Sequence, residues 1–301
     1  MRFPTTKPTE FLADLSLLFV AIIWGSTFII VKQSVESTPV SSFLFMRFAL
    51  AGVLLVLISA PKLKDIDKRV FADGLLLGIA LFLAYAFQTF GLTVTSASIT
   101  AFITGLHVVF VPILSSLFLK KLPRQEAMVG VVLATIGLAL ITLQDTFLLS
   151  LGEFLVLLCA FFVAIHIIMT DKFSRRNDYT LLTLVQVNVV ALFSLIFSVL
   201  FDPRIIPQQF SQQLIFSLII TSVFATVVAF VIQMGMQKHT TPTKTAIIFI
   251  MEPVSAAFFS YWLGGELLTT KQYAGTFLIL LAMVFTEAGT YLKMKREASF
   301  G

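Results

Sequence analysis

The chain has 301 residues, 58% of them hydrophobic and 12% charged, with a formal net charge of +5. A soluble domain carries about 25% charged residues and cannot clothe its surface with so few, so the apolar excess must face lipid. The single cysteine, Cys159, excludes an internal disulfide and a cysteine-based metal site.

Crossing a hydrocarbon core about 30 Å thick takes roughly 20 apolar residues. Ten such spans are predicted, at 11–33, 40–60, 71–91, 96–119, 126–143, 150–170, 180–201, 211–236, 243–264 and 271–292. Each is a near-continuous run of Leu, Ile, Val, Phe and Ala, closed by charge, proline or Ser/Thr clusters. The first run is too long for a cleaved signal peptide, and no small-residue cleavage site follows it. One alternating set of links carries Arg2 and Lys7; Lys62, Lys64, Lys68 and Arg69; Lys120, Lys121 and Arg124; Lys172, Arg175 and Arg176; Lys238 and Lys244; Lys293, Lys295 and Arg296. The opposite set carries only Lys32, Arg204 and Lys271. By the positive-inside rule both termini are cytoplasmic, in a multi-pass protein of the cytoplasmic (inner) membrane. Basic residues scattered over six short loops argue for contact with the lipid bilayer and against a nucleic-acid partner.

The halves resemble each other. Gln88 aligns with Gln233, Ala101 with Ala246 and Gly130 with Gly275, all at an offset of 145, and Phe19–Ile22 matches Phe162–Ile165 at 143. A five-span unit begins and ends on opposite sides of the membrane, so its second copy is inverted. The fold expected is an all-α membrane protein of ten transmembrane helices, arranged as two inverted five-helix repeats, residues 1–145 and 146–301. Secondary transporters use this plan, with the binding site near the midplane between the repeats.

Several short motifs now share one order. Trp24-Gly25-Ser26-Thr27-Phe28 in the first span and Arg47-Phe48 in the second are followed by Thr95-Ser96-Ala97 and Ala101-Phe102-Ile103-Thr104-Gly105-Leu106 at the fourth. Met251-Glu252-Pro253 and Gly264-Gly265-Glu266 mark the ninth. In this order and spacing the chain resembles the EamA-type transporters of the drug/metabolite transporter superfamily. The resemblance implies a basket of ten helices around a central cavity, lined mostly by spans one, three, four, six, eight and nine. It also implies export of amino acids, related metabolites or drugs. His107 departs from the family pattern, where an apolar or aromatic residue is expected.

Ionisable side chains inside spans cost about 2.5–3.5 kcal/mol at the helix centre and usually face a cavity or a partner. Glu252, about 10 Å into the ninth span at 1.5 Å per residue, is the leading candidate to bind a proton or a substrate amine. The alternative is a structural carboxylate. Pro253 follows it and frees the Phe249 carbonyl one turn earlier. His107 stands at the repeat-equivalent position, and Thr100, Thr104 and His107 share a helix face expected to line the cavity. His166 is a further candidate, as is Arg47, which would clamp a carboxylate or else serve structure. For each histidine the plainer alternative is a hydrogen bond between helices. Trp24 and Thr27, Tyr85 and Gln88, and Gln233, with Gln186 and Asn188, are neutral candidates for an aromatic wall and polar contacts. Pro112 and Pro253 are expected to act as hinges. Gly130 and Gly137, with Gly275, read as a packing scaffold.

No metal-ligand spacing, nucleotide motif or catalytic dyad occurs in the sequence, so no cofactor and no enzymatic activity are expected. The partners expected are a small-molecule substrate and a proton as candidate coupling ion, in a monomer or weak homodimer. A secondary exporter of amino acids or related metabolites is the first reading. Multidrug or organic-cation efflux on the same fold is the alternative.

Overall fold

The computed structural model describes residues 7–118, 150–240 and 242–299, with positions 129, 130, 132, 133, 136, 137 and 140. The fifth predicted span therefore lies largely outside the described residues, as do Lys120, Lys121 and Arg124. Among the described residues the elements are all helical: α1 (Lys7–Val35), α2 (Val40–Ser59) with a 3₁₀ turn at Ala60–Asp65, α3 (Lys68–Leu92), α4 (Ala97–Thr104) and α5 (His107–Phe118). Then come α6 (Leu151–Ser174), α7 (Tyr179–Phe201), α8 (Gln212–Ile219), a π-helical turn (Ile220–Val228) and α9 (Ala229–Gln237). The chain continues with α10 (Pro242–Phe249), α11 (Met251–Gly264) and α12 (Thr270–Ser299).

Seven stretches of the described residues are long and apolar enough to cross a membrane. They correspond to the first four predicted spans and to the sixth, seventh and eighth. The predicted fourth and ninth spans are each broken into two helices, at Gly105–Leu106 and at Ile250. Large apolar side chains such as Phe11, Leu57, Leu117 and Phe201 stand exposed on the outside, where lipid would cover them.

Helix starts are encoded locally. Asp67, Ser96, Asp178 and Ser211 each accept a bond from a backbone N–H of the first turn that follows. Ser150 and Glu153 form a reciprocal capping box at α6. Gly265, at φ 64°, ends α11 in the left-handed conformation that glycine adopts without strain.

Polar cross-links sort the links into two faces. On one face Lys62 pairs with Asp178, and Asp73, buried at the start of α3, accepts from Arg176 and from Asn177 Nδ2. Arg175 on the same face donates to the Thr240 carbonyl. Burial would raise the Asp178 carboxyl, but the bonds from Lys62, Leu181 and Thr180 outweigh it and hold it below its usual value. On the other face Ser42 bonds Asp202, Gln213 bonds Gln33, and Lys32 bonds Glu266. Each face thus joins alternate links of the chain, as successive membrane crossings require.

Packing uses small residues. α3 lies on α7, where a Cβ on Gly74 would meet Val185 at 2.6 Å and one on Gly78 would meet Val189 at 2.5 Å. The i, i+4 pair lets the two backbones approach closely. Gly137 likewise abuts the Gly275 backbone of α12, so these two residues of the glycine scaffold read in the sequence meet.

Candidate functional site

A cavity of about 760 Å³, mouth included, opens between α1, α3, α6 and the broken helices. Its wall is built one residue at a time. α1 contributes Trp24 and Thr27; α3 contributes Tyr85 and Gln88; Thr104 closes α4; α6 brings Cys159 and His166. Phe230 and Gln233 come from α9, Phe249 from α10 and Glu252 from α11, and α2 enters through Arg47 alone. Nine of the eleven predicted binding residues therefore share one wall. The second span, through Arg47, joins the six spans that the family resemblance implied.

Trp24 is held at both ends. Its ring packs 5.3 Å from Phe230 and 5.3 Å from Phe249, and its Nε1–H donates to the Ala225 carbonyl at 2.9 Å. That carbonyl belongs to the π-helical turn, a rare element found most often at functional sites. The next residue, Thr226, donates its hydroxyl to the Thr221 carbonyl five residues back and accepts from Arg47 Nε at 3.1 Å. Arg47 Nη2 donates to the Tyr85 hydroxyl at 3.2 Å, and its guanidinium lies over the Tyr85 and Phe48 rings.

Glu252 reaches its place through Gly25. A Cβ on Gly25 would collide with the Glu252 carbonyl oxygen and would come within 2.6 Å of Ser255 Cβ and 2.9 Å of Ala256 N. Only glycine lets α1 and α11 touch here, which sets Trp24 beside the start of α11. The Glu252 side chain is 7% exposed, and it has no hydrogen-bond or ion-pair partner among the described residues. Pro253 behind it cannot donate to Phe249, and the helix is interrupted at Ile250 between them.

The remaining polar atoms are partly engaged. Gln88 Nε2 donates to Thr104 Oγ1 at 3.2 Å, and Thr27 donates back to the Trp24 carbonyl. His166 Nε2 bonds Gln186 Oε1 at 2.9 Å. Gln233 Nε2 donates to Gln237 Oε1, while its own Oε1 has no partner among the described residues.

Two predicted residues stand elsewhere. His107 is buried but off the cavity, and the reason is the break between α4 and α5. Val108 N turns to the Gly105 carbonyl, three residues back, and so abandons the Thr104 carbonyl. His107 Nδ1 takes that oxygen at 2.9 Å. Because a carbonyl only accepts, Nδ1 carries the proton and Nε2 is left bare, with no partner among the described residues. The tightened turn also breaks the four-and-three spacing that would have aligned His107 with Thr104. Thr100 is fully buried, its hydroxyl bonded back to the Ser96 carbonyl at 2.8 Å. The hinge expectation shifts as well. Pro112 lies inside α5, beyond the actual interruption at Gly105–Leu106.

Glu266 acquires a role that its motif alone did not suggest. From beyond the end of α11 it caps α4, accepting from Ala97 N at 2.9 Å and from Ser98 N and Oγ at 3.0 Å, while Lys32 pairs with it at 3.3 Å. Burial alone would raise this carboxyl, but the N–H and hydroxyl donors and Lys32 outweigh it and hold it below its usual range. A depressed folded pKa gives stability that is present above the unfolded value and lost as pH falls through the folded one. The melting-temperature gap between wild type and Glu266→Gln should be full at neutral pH and shrink as pH drops below about 4. A gap that stays constant down to pH 3 would refute this account of the cap.

Comparison with known proteins agrees with this architecture. The EamA-like transporter family model matches twice, over residues 11–143 and 150–287. A protein of Archaeoglobus fulgidus described as an uncharacterized transporter is 38% identical over 272 residues, covering 90% of this chain and 84% of its own. The uncharacterized transporter YvbV of Bacillus subtilis is 26% identical over 188 residues, covering 60% of this chain and 61% of its own. One crystal structure superposes with a TM-score of 0.66 at 16% identity, over 95% of this chain and 98% of that one, and shares its fold.

Proposed function

This chain belongs to the EamA-like transporter family, and from that premise we propose that it is a secondary transporter exporting amino acids or related small metabolites across the cytoplasmic membrane by alternating access. Transport as such follows from the family. The observation that carries the finer reading is the Glu252 carboxylate, standing without a described partner in a cavity walled by Trp24, Tyr85, Phe230 and Phe249. A buried charge without a partner is expensive, and a substrate amine or a proton would offset its cost.

Several relations support two inverted repeats enclosing one site. Tyr85 and Phe230, Gln88 and Gln233, and Thr104 and Phe249 are each 145 apart in sequence, and all six line the same cavity. The two helix breaks, at Gly105 and Ile250, share that offset. Lys32 donates to the Thr95 carbonyl on one face and Arg175 to the Thr240 carbonyl on the other, at offsets of 143 and 145. The double match of the family model supports the same division, near residue 145. Related latches at opposite faces are what a site opened alternately to each side needs, and broken helices beside the site suit the motion.

Organic-cation efflux is the second reading, favoured by the aromatic wall around a single carboxylate. Purified protein should show a thermal shift with members of a panel of amino acids, polyamines and quaternary amines. In proteoliposomes the same compounds should give saturable counterflow. Flux that rises linearly with concentration, with no counterflow, would reject a carrier in favour of a channel.

A further inference from the structure

We propose that Arg47 is the carboxylate-binding pole of the cavity, and that the π-helical turn holds it in that role through Thr226. The inference rests on the cavity being the transport site and narrows its substrate to zwitterions, α-amino acids with apolar side chains.

Arg47 lines the cavity with only 2% of its surface exposed, yet no carboxylate pairs with it among the described residues. Buried guanidinium groups normally have an anion. Here its partners are all neutral. The Thr226 hydroxyl takes Nε, the Tyr85 hydroxyl takes Nη2, and the Tyr85 and Phe48 rings cover its plane with the guanidinium carbon 4.6 and 5.1 Å from their centroids. These contacts orient the group without neutralising it. Nη1 donates to no described residue.

The π register does the orienting. Because the Thr226 hydroxyl donates to Thr221 O, its lone pairs are left for Arg47 Nε. A threonine in an ordinary α-helix reaches back four residues, which here is Ser222, and would aim those lone pairs differently. The same turn presents the Ala225 carbonyl to Trp24, so the aromatic wall and the cationic pole hang on one local distortion.

The cavity wall therefore holds a guanidinium, Arg47, and a carboxyl group, Glu252, that do not pair with each other. A guanidinium recognises a carboxylate through parallel N–H bonds, and a lone carboxylate recognises an ammonium. A molecule carrying both charges, with an apolar group for Trp24, Phe230 and Phe249, satisfies every wall. An amine alone leaves the Arg47 guanidinium without an anion, and a carboxylic acid alone leaves the Glu252 carboxyl group without a partner.

The test uses three probes of one side-chain shape: leucine, isopentylamine and 4-methylpentanoate. Competition in a counterflow assay with wild-type protein in proteoliposomes should rank leucine at least tenfold above either single-charge probe. Thr226→Val, which keeps the shape and removes the acceptor, should weaken leucine and 4-methylpentanoate about tenfold and leave isopentylamine unchanged. Thr226→Ser should restore both. The pole assignment is overturned if wild type binds isopentylamine as well as leucine, if Thr226→Val weakens all three probes alike, or if none of the three competes. Saturable flux of isopentylamine without discrimination would sink the pole while leaving secondary transport intact. No saturable flux for any compound in the wider panel would sink transport itself.

Discussion

Gly25→Ala is expected to cut transport by about 100-fold, the scale of loss that a displacement of roughly 1 Å at a site produces. The methyl group would strike the Glu252 carbonyl oxygen, Ser255 Cβ and Ala256 N, which are fixed backbone or first-carbon atoms with no rotamer to yield. The two helices must therefore separate, and with them Trp24 and Glu252, which face the same cavity from α1 and α11. Overpacking of this kind costs about 1–3 kcal/mol, so the variant should also melt earlier. Gly235→Ala provides the control. Its methyl would meet only the edge of the Tyr179 ring, at 3.3 Å, where a side chain can give way. Equal loss in both variants, or normal flux in Gly25→Ala, would show that the close approach of α1 and α11 does not set the site.

The Trp-Gly-Ser-Thr motif was legible in the sequence as a motif, but its physical reason was not. Nothing in residues 24–28 says that glycine 25 meets the backbone of residue 252, because that contact spans most of the chain. What the sequence exposed well was whatever lipid makes costly. Seven of the ten continuous apolar runs coincide with described helices long and apolar enough to cross a membrane, and Glu252, Arg47 and His166 stood out because ionisable groups are rare within such runs. The same reasoning misplaced His107. Its cost is met locally, by a carbonyl that the break at Gly105–Leu106 leaves without an N–H partner, and a periodic helix drawn through Thr100, Thr104 and His107 cannot foresee that break. The π-helical turn left no sequence signal either, since Ile220–Val228 reads as any other stretch of β-branched and small residues. Thr226 was missed for that reason. Phe230, Phe249 and Cys159 were missed for another: among 32 phenylalanines and many small apolar residues, those on a cavity wall look like those in the core. Gln88 pointed to Gln233 through the repeat, and applying that offset to every candidate would have recovered Phe230 from Tyr85 and Phe249 from Thr104.

Glu252→Gln separates a functional carboxylate from a structural one. A structural carboxylate has donors that an amide would leave short, and its replacement lowers stability. Glu252 has no hydrogen-bonded or ion-paired partner among the described residues, so the amide leaves no described donor without its acceptor. The variant should fold normally, with a melting temperature equal to wild type or higher. Transport should nevertheless fall by roughly 10- to 100-fold, the equivalent of the 1.5–3 kcal/mol that a hydrogen bond to a charged group contributes. If the carboxylate also carries the coupling proton, an imposed proton gradient will accelerate wild-type export and leave the residual flux of Glu252→Gln unchanged. Glu252→Asp keeps the charge but withdraws it by one methylene, and should retain gradient-driven export at reduced affinity. A marked fall in melting temperature with undiminished transport would assign Glu252 to the scaffold. Undiminished, gradient-driven flux at normal stability would move the site's chemistry to another residue of the same wall.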